Sequence, residues 1–371
     1  MQPTQASREE LIDVLRGLAI AGVISVHIAQ TTLQGGGPAQ NLFFKIFSSG
    51  RYGVELFFTV SGFLLFKLYG RSREKLSKVY YLRRITRIYP LWILFLFLNV
   101  ALALILEKSG HETYLSNFEN INTGVFYSLI LGVTFMLFFS SDLWNAVIPG
   151  GWSIQSEVAH YLVFPIIRKY KTLFILNSLI IVNIITLLVS SDSWPKQGFL
   201  KNAGGDSFYI ETWIRLSLFS TVGFFILGGA FYKWLNGFSR ASFFNDVKSL
   251  PLGLKVAGIG YFITFIYLPL PFGKTYEAII FVTLAIIFGI FLNRWDLSRR
   301  IMGIIGKYSY FIYFAHFLIL DLFKLCIEYS SFGNIGFFLF PITYVFTLLL
   351  GLALAIPSMK FIEKPIMNLS R

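Results

Sequence analysis

Charged residues are scarce in this sequence, since Asp, Glu, Lys and Arg make up 14% of its 371 residues while hydrophobic residues make up 55%. A soluble domain is roughly a quarter charged, so a soluble globular protein is excluded. The single cysteine, Cys326, excludes an internal disulfide, and the four histidines lack the spacing of metal ligands, so no metal is expected. Internal repeats and long polar segments are also absent. These absences predict one membrane domain over residues 1–371, with no soluble domain appended.

Apolar windows that approach the length of a membrane crossing recur along the whole chain. Crossing the hydrocarbon core takes about 20 mainly apolar residues in a helix. The windows are 11–30, 52–69, 89–106, 122–139, 152–167, 172–190, 213–232, 252–270, 276–292, 303–325 and 336–359. We therefore predict an all-α fold, a polytopic bundle of membrane helices.

The formal charge of +13 reports the orientation of this bundle, because Lys and Arg of short loops are retained in the cytoplasm. The best partition lets the region 122–167 cross once. The cytoplasmic segments are then 1–10, 71–88, 168–171, 233–250, 293–307 and 360–371. They hold 21 basic and 6 acidic residues, whereas the outer segments hold 6 basic and 8 acidic. This predicts about ten crossings with both termini cytoplasmic, and no nucleic-acid partner is needed to explain the charge.

One of the two windows within 122–167 is then expected to be re-entrant or otherwise non-spanning. We favour 152–167 as the crossing, because Pro149-Gly150-Gly151 opens it and Arg168-Lys169 closes it on the cytoplasmic side. A plain hairpin with one misjudged loop is the alternative.

Ionisable residues inside membrane spans usually mark a polar pathway or a site. Arg16 and His27 lie eleven residues apart, about three helical turns and 16 Å, so they share one face of the first helix. A local pair of Arg16 with Asp13 is the structural alternative for the arginine. His316 is a second intramembrane histidine, and packing is the alternative for both rings.

Two further stretches carry polar groups at helical spacing. In one, Ser153, Glu157, His160 and Tyr161 share a face, which predicts either a catalytic wall or a hydrogen-bonded seam between helices. The other contains Arg83, Arg84 and Arg87, whose guanidinium groups suit phosphate oxygens, with anchoring to anionic lipid as the alternative. Glu55 stands at the outer entrance of the second window. Gly62 lies near the middle of that window and favours close approach of a neighbouring helix.

With these residues in place, the chain resembles acyltransferase family 3, the integral membrane O-acyltransferases that act on bacterial surface glycans and related acceptors. The matching segments are Ile12-Asp13-Val14-Leu15-Arg16-Gly17 followed by His27, Gly53 to Phe63, Arg83 to Pro90, Trp152-Ser153-Ile154 with Glu157, Gly306 to His316, and Phe361-Ile362-Glu363-Lys364-Pro365. Each is weak alone, but six in order cover nearly the whole chain.

The resemblance implies that Arg16 and His27 are essential and that Arg84 and Arg87 bind the acyl-coenzyme A donor. Two departures from the family pattern stand out. Glu55 replaces a frequent Asp, and His160 replaces the Phe of a common Glu-X-X-Phe-Tyr motif. We interpret His160 as a residue that tunes the choice of acceptor.

The resulting hypothesis is transfer of an acyl group, most simply acetyl, from cytoplasmic acyl-coenzyme A to a hydroxyl of a surface polysaccharide or other glycan at the bacterial inner membrane. His27 is the expected general base, because imidazole titrates near neutral pH, and Glu157 orients it or binds the acceptor. Arg16, Arg84 and Arg87 are expected to hold the donor. The expected supporting or acceptor-binding residues are Asp13, Glu55, Trp152, Ser153, His160 and His316.

Acyl-coenzyme A is expected as a co-substrate, so no permanently bound cofactor is predicted. The other expected partners are a glycan or lipid-linked saccharide and membrane lipid, and a homo-oligomer stays open. The competing hypothesis from another class is a proton-coupled or glycan-related transporter, because buried Arg, His and Glu also line permeation paths. A structural partner of a glycan-export machine is a third reading.

Overall fold

The computed structural model describes residues 5–33, 38–69, 78–111, 113, 115, 120–137, 143, 145–169, 218–235, 275–328 and 336–369. All regular structure within these ranges is helical. The helices are α1 (Gln5–Thr32), α2 (Pro38–Ser48), α3 (Gly53–Tyr69), α4 (Lys78–Lys108), α5 (Ile121–Val133), α6 (Gly151–Lys169), α7 (Leu218–Leu235), α8 (Thr275–Leu292), α9 (Asp296–Lys307), α10 (Ser309–Glu328), α11 (Gly336–Ser358) and α12 (Lys364–Asn368). A 3-10 turn joins α2 to α3 at Ser49–Tyr52, and a π-helical turn joins α11 to α12 at Met359–Glu363.

Several of these helices are long and apolar enough to cross a membrane. Four continuous helical segments in the described ranges pass that test, namely Glu10–Thr32, Ala39–Tyr69, Lys78–Lys108 and Leu339–Asn368. A fifth crossing is added if the bent pair α9 and α10 counts as one. The all-α membrane class is therefore confirmed. The count of ten crossings stays a prediction, because the windows 172–190 and 252–270 lie outside the described residues.

The chain divides into two compact units. Unit 1 comprises Met1–Phe57, Ile85–Leu102 and Ala278–Arg371, and unit 2 comprises Phe58–Arg84 and Ala103–Glu277.

Helix α1 is the centre of unit 1 and packs against α2, α9, α10 and α11. Its contact with α9 is unusually close, because glycines bring the two backbones together. A Cβ at Gly17 would overlap the carbonyl oxygen of Met302, and a Cβ at Gly306 would overlap the carbonyl oxygen of Asp13. On α11, the Tyr344 hydroxyl donates a hydrogen bond of 3.2 Å to the Ala21 carbonyl. The segment of α1 that carries Asp13 is therefore held through main-chain contact.

The predicted window 303–325 covers the end of α9 and most of α10, and a single crossing there stays a prediction. The chain bends by 73° between Asp296–Lys307 and Ser309–Phe323, so α9 and α10 are separate helices. One stripe of α9 is apolar yet exposed, with Leu297 73%, Ile301 47% and Ile304 52% accessible. Such a stripe on a helix that also carries basic residues is typical of a helix lying in the membrane interface. The amphipathic pattern of α9 therefore differs from the continuous apolar pattern of a crossing.

In unit 2, the two windows within 122–167 form helices of unequal length. Helix α5 has 13 residues, about 20 Å, which is shorter than the roughly 30 Å hydrocarbon core. Helix α6 has 19 residues and begins after Gly150, whose φ is +77° and whose N–H donates to Asn145 Oδ1 at 2.8 Å. Helix α6 is the longer of the two, but neither helix passes the test of length and composition for a crossing, so the choice of 152–167 as the crossing stays a prediction.

Close helix approach at Gly62, expected from the sequence, is confirmed in unit 2. A Cβ at Gly62 would overlap the carbonyl oxygen of Phe225 on α7. The contact is reciprocal, because a Cβ at Gly228 would overlap the carbonyl oxygen of Thr59 on α3. Helix α6 packs on α7 and contributes Phe164, whose ring meets Phe225 at a centroid distance of 6.2 Å.

Candidate functional site

His27 lies on α1 in unit 1, half-buried near the C-terminal end of that helix. Its Nδ1 is 3.1 Å from Oε1 of Gln30, one turn further along the same helix. Because the amide oxygen accepts, His27 donates through Nδ1 and keeps a lone pair on Nε2. Its ring rests against Phe317 on α10 at a centroid distance of 4.3 Å. A helical neighbour and a packed ring therefore fix the orientation of this imidazole.

His316 on α10 lies beside His27, and no exposed surface remains on its side chain. The two imidazole centroids are 5.4 Å apart with an interplanar angle of 34°. Nδ1 of His316 lies 2.5 Å from the Tyr313 carbonyl oxygen, to which it donates. Its Nε2 is buried without a hydrogen-bond partner in the part of the chain that the structure describes. An unsatisfied buried polar atom costs about 1–3 kcal/mol of stability. An apolar ring would pack at this position without that cost.

The local pair of Arg16 with Asp13, which was the structural alternative for the arginine, is present. The guanidinium Nη1 of Arg16 lies 3.7 Å from Oδ1 of Asp13, and the arginine side chain is 17% exposed. Arg16 and His27 both belong to α1, as their spacing predicted. Glu55 is half-buried in the first turn of α3.

Arg87 also belongs to unit 1, on α4, and its charge interacts with the carboxylate of Glu363. Glu363 is 5% exposed, ends the π-helical turn, and accepts a hydrogen bond of 3.3 Å from Ser358 Oγ. The sequence analysis did not anticipate this acidic neighbour of Arg87. The Glu363-Lys364-Pro365 segment stands among the motifs of the resemblance. However, its position in the sequence does not show that Glu363 lies near α4.

Glu157 on α6 is the centre of a polar cluster in unit 2. Its Oε1 accepts hydrogen bonds from Ser61 Oγ at 2.9 Å and from the Tyr161 hydroxyl. The Tyr161 contact follows from the i, i+4 spacing on α6, whereas Ser61 comes from α3. Both of these bonds end on the same carboxylate oxygen, and the side chain of Glu157 is half-buried rather than enclosed.

The other predicted residues of α6 begin the helix or pack inside unit 2. The Ser153 hydroxyl donates to the Gly150 carbonyl at 3.0 Å, and Trp152 meets Phe58 edge-on at 6.5 Å. His160 is fully buried, stacks on Phe225 at 5.0 Å and contacts Thr221 Oγ1 through Nε2 at 3.3 Å. The structure thus places His160 in the aromatic packing position that the family's Phe would fill. Its predicted influence on acceptor choice stays a prediction.

Arg84 on α4 belongs to unit 2 and stands among three tyrosine rings. Its guanidinium carbon lies 5.9 Å from the Tyr69 centroid, 5.9 Å from that of Tyr80 and 5.5 Å from that of Tyr161. The Tyr80 hydroxyl donates to the Tyr161 carbonyl at 3.0 Å, which fixes two of the rings. Cation–π contact holds the head group in place. The sequence analysis missed this aromatic cage, although Tyr80 and Arg84 stand at i, i+4.

The structure distributes the predicted site residues over both units. Unit 1 holds Asp13, Arg16, His27, Glu55, Arg87 and His316, and unit 2 holds Arg84, Trp152, Ser153, Glu157 and His160. The expectation that Glu157 orients His27 stays a prediction, because the two residues belong to different units. What the structure does bring together is His27 with His316 in unit 1, and Glu157 with Ser61 and Tyr161 in unit 2.

Comparison with known proteins agrees with this picture at the level of the family. The sequence model of acyltransferase family 3, described as an acyltransferase domain, matches residues 10–358. No curated protein and no solved structure matches the chain. The matched residues include α1 with Arg16 and His27, the arginines of α4, Glu157 and the α10 histidine. The chain therefore belongs to acyltransferase family 3 and is a multi-pass membrane acyltransferase.

Proposed function

We propose that this enzyme moves an acyl group, most simply acetyl, from cytoplasmic acyl-coenzyme A to a hydroxyl of a surface polysaccharide or lipid-linked saccharide. The proposal places it in a bacterial inner membrane with both termini cytoplasmic. The observation that carries it is His27, a histidine whose Nδ1 donates to Gln30 Oε1 and whose Nε2 is left as a base. Family membership supplies the reaction class, and this histidine supplies a group that can activate a hydroxyl.

In the proposed reaction the thioester is already activated, so the enzyme must deprotonate the hydroxyl and align the two substrates. Nε2 of His27 takes the hydroxyl proton while the oxygen forms a bond to the thioester carbonyl carbon. The carbon–sulfur bond then breaks, and the imidazolium returns the proton to the coenzyme A thiolate. No further co-reactant is needed, because the products are the O-acyl glycan and free coenzyme A.

Glu157 is proposed to bind the acceptor. Its Oε1 is occupied by Ser61 and Tyr161, so the carboxylate is held rigidly. The other oxygen can accept a hydrogen bond from a sugar hydroxyl, and charge-assisted hydrogen bonds of this kind are strong. The cluster therefore serves the acceptor by holding one of its hydroxyls in a fixed position.

Arg84 is proposed to bind a phosphate of the donor, with Arg16 and Arg87 as further cations. The tyrosine rings fix its guanidinium plane, and Nε has no hydrogen-bond partner in the described ranges. A planar, oriented guanidinium suits bidentate phosphate binding better than an ammonium group does.

Replacing Arg84 with lysine is expected to raise KM for acetyl-coenzyme A about tenfold while kcat changes less than about threefold, because the lost contact is present in both ground and transition states. Arg83→Lys is the matched control, since Arg83 is the exposed neighbour on the same helix. Steady-state kinetics with varied donor measure both constants. Equal KM values for the two variants would contradict the donor role.

The proposed function is tested with the purified protein in vesicles that contain the membrane glycans of the source cells. Addition of [acetyl-14C]coenzyme A is expected to release free thiol and to place label in the glycan fraction in equal amounts. Mass spectrometry of that fraction then identifies the acyl group and the modified sugar. Flux of saccharide across the vesicle membrane without thiol release would contradict transfer and favour a transporter.

A further inference from the structure

Two imidazoles lie side by side in unit 1, and the proposed reaction uses only His27. The rings of His27 and His316 are 5.4 Å apart, and both rest on Phe317, at 4.3 Å and 4.2 Å. His316 has no exposed surface, so it meets no substrate directly. Any role it has in the reaction must pass through a neighbouring group.

The hydrogen bond at Nδ1 determines which nitrogen of the neutral His316 carries the proton. A carbonyl oxygen only accepts, so in the 2.5 Å contact with the Tyr313 carbonyl Nδ1 is the donor. Nε2 is then a lone pair, and it is buried with no hydrogen-bond partner in the described part of the chain. Within the described ranges, the ring of His316 contacts those of His27, Tyr313 and Phe317, and of these His27 is the one that gains charge in the proposed reaction.

We propose that His316 is a positioning residue that stabilises the imidazolium form of His27 during acyl transfer, an inference that rests on the proposed function. With its proton held on Nδ1, the His316 ring is a fixed dipole whose negative end is Nε2. Its lone pair has no donor in the described part of the chain. The dipole acts on the charge of His27 through space, across the 5.4 Å between the ring centroids, because Nδ1–H of His27 donates to Gln30 and its Nε2 serves the acceptor hydroxyl. Because the dipole is oriented before the reaction, no reorganisation is needed when the charge develops. The proton itself remains on His27 until the thiolate takes it.

Packing alone does not account for this residue. A phenylalanine would fill the same slot among aromatic rings without burying an unsatisfied nitrogen. Thr347 on α11 provides a comparison in unit 1, since its Oγ1 is also buried without a partner in the described ranges. Replacing Thr347 therefore measures what the loss of a buried, unsatisfied polar atom alone does to the protein.

Three substitutions at His316 separate the positioning role from packing. His316→Phe keeps a ring but has no lone pair, His316→Asn reproduces only the Nδ1 position, and His316→Gln places an amide oxygen near the Nε2 position. We expect kcat to fall about 10- to 100-fold for Phe and Asn and to recover to at least about a third of wild type for Gln. KM for acetyl-coenzyme A and for the acceptor is expected to stay within about twofold, since His316 touches neither.

The measurements are kcat, both KM values and the melting temperature of the full-length protein in vesicles or detergent. Thr347→Val is the control: it removes a buried polar atom and is expected to keep activity. Wild-type kcat in His316→Phe would overturn the inference while leaving the proposed function intact. Equal losses in all three variants together with lower melting temperatures would also overturn it, because they indicate a structural role. A wild-type protein without thiol release would instead contradict the proposed function and the inference together.

Discussion

Replacing His27 with alanine is expected to lower acyl transfer about 10²- to 10⁴-fold, which is the usual contribution of a positioned general base. The expected loss is in kcat, because the base acts on the hydroxyl proton in the transition state rather than on binding. Thiol release from acetyl-coenzyme A, followed with a thiol-reactive dye, measures the change directly. His27 is half-buried and its hydrogen bond is to the exposed Gln30 on the same helix, so folding should survive the substitution.

His111→Ala is the matched control, since His111 is an exposed histidine outside the helices. It is expected to leave kcat and both KM values unchanged. Retention of more than about a tenth of wild-type activity in His27→Ala, with the protein folded, would remove His27 from the mechanism.

The helical class and the residues of the first span were predictable, because both depend on local sequence. The pair Arg16 and Asp13 follows from i, i+3 spacing, and the structure shows it at 3.7 Å. The bend at Tyr308 was not predicted, because a window average does not distinguish an amphipathic helix from the start of an apolar one. The basic residues Arg299 and Arg300 had placed 293–307 in a cytoplasmic segment, and this segment contains α9, but charge alone does not show where the chain turns into α10.

Contacts between segments that are distant in the chain could not be predicted from the sequence. His27 and His316 are separated by 289 positions along the chain, and only the packing of α1 on α10 brings their rings together. Likewise, helical spacing accounts for Tyr80 beside Arg84, but Tyr161 joins that cage from another helix. Such pairs depend on which helix faces meet, and single-helix periodicity does not determine that.

Replacing Gly306 with alanine is expected to destabilise the folded protein, because this residue lies where the backbones of α1 and α9 touch. A Cβ at this position would overlap the Asp13 carbonyl oxygen and come within 2.9 Å of the Gly17 nitrogen. Main-chain atoms cannot rotate away as a side chain can, so the two helices must separate. Overpacking of this kind typically costs about 1–3 kcal/mol, and occasionally more. Asp13 and its partner Arg16 would be displaced with the backbone of α1.

Gly303→Ala, three residues earlier on α9, is the matched control because a Cβ at Gly303 would meet no neighbouring heavy atom within 4 Å. There the substitution should stabilise the helix by up to about 1 kcal/mol, since alanine has the higher helix propensity. The two changes add the same methyl group to the same helix, so opposite signs isolate the contact with α1. Melting temperatures in detergent should fall by about 3 °C or more for Gly306→Ala and not for Gly303→Ala. Equal melting temperatures would mean that α1 and α9 do not touch through their backbones, and Gly17→Ala should then be equally harmless.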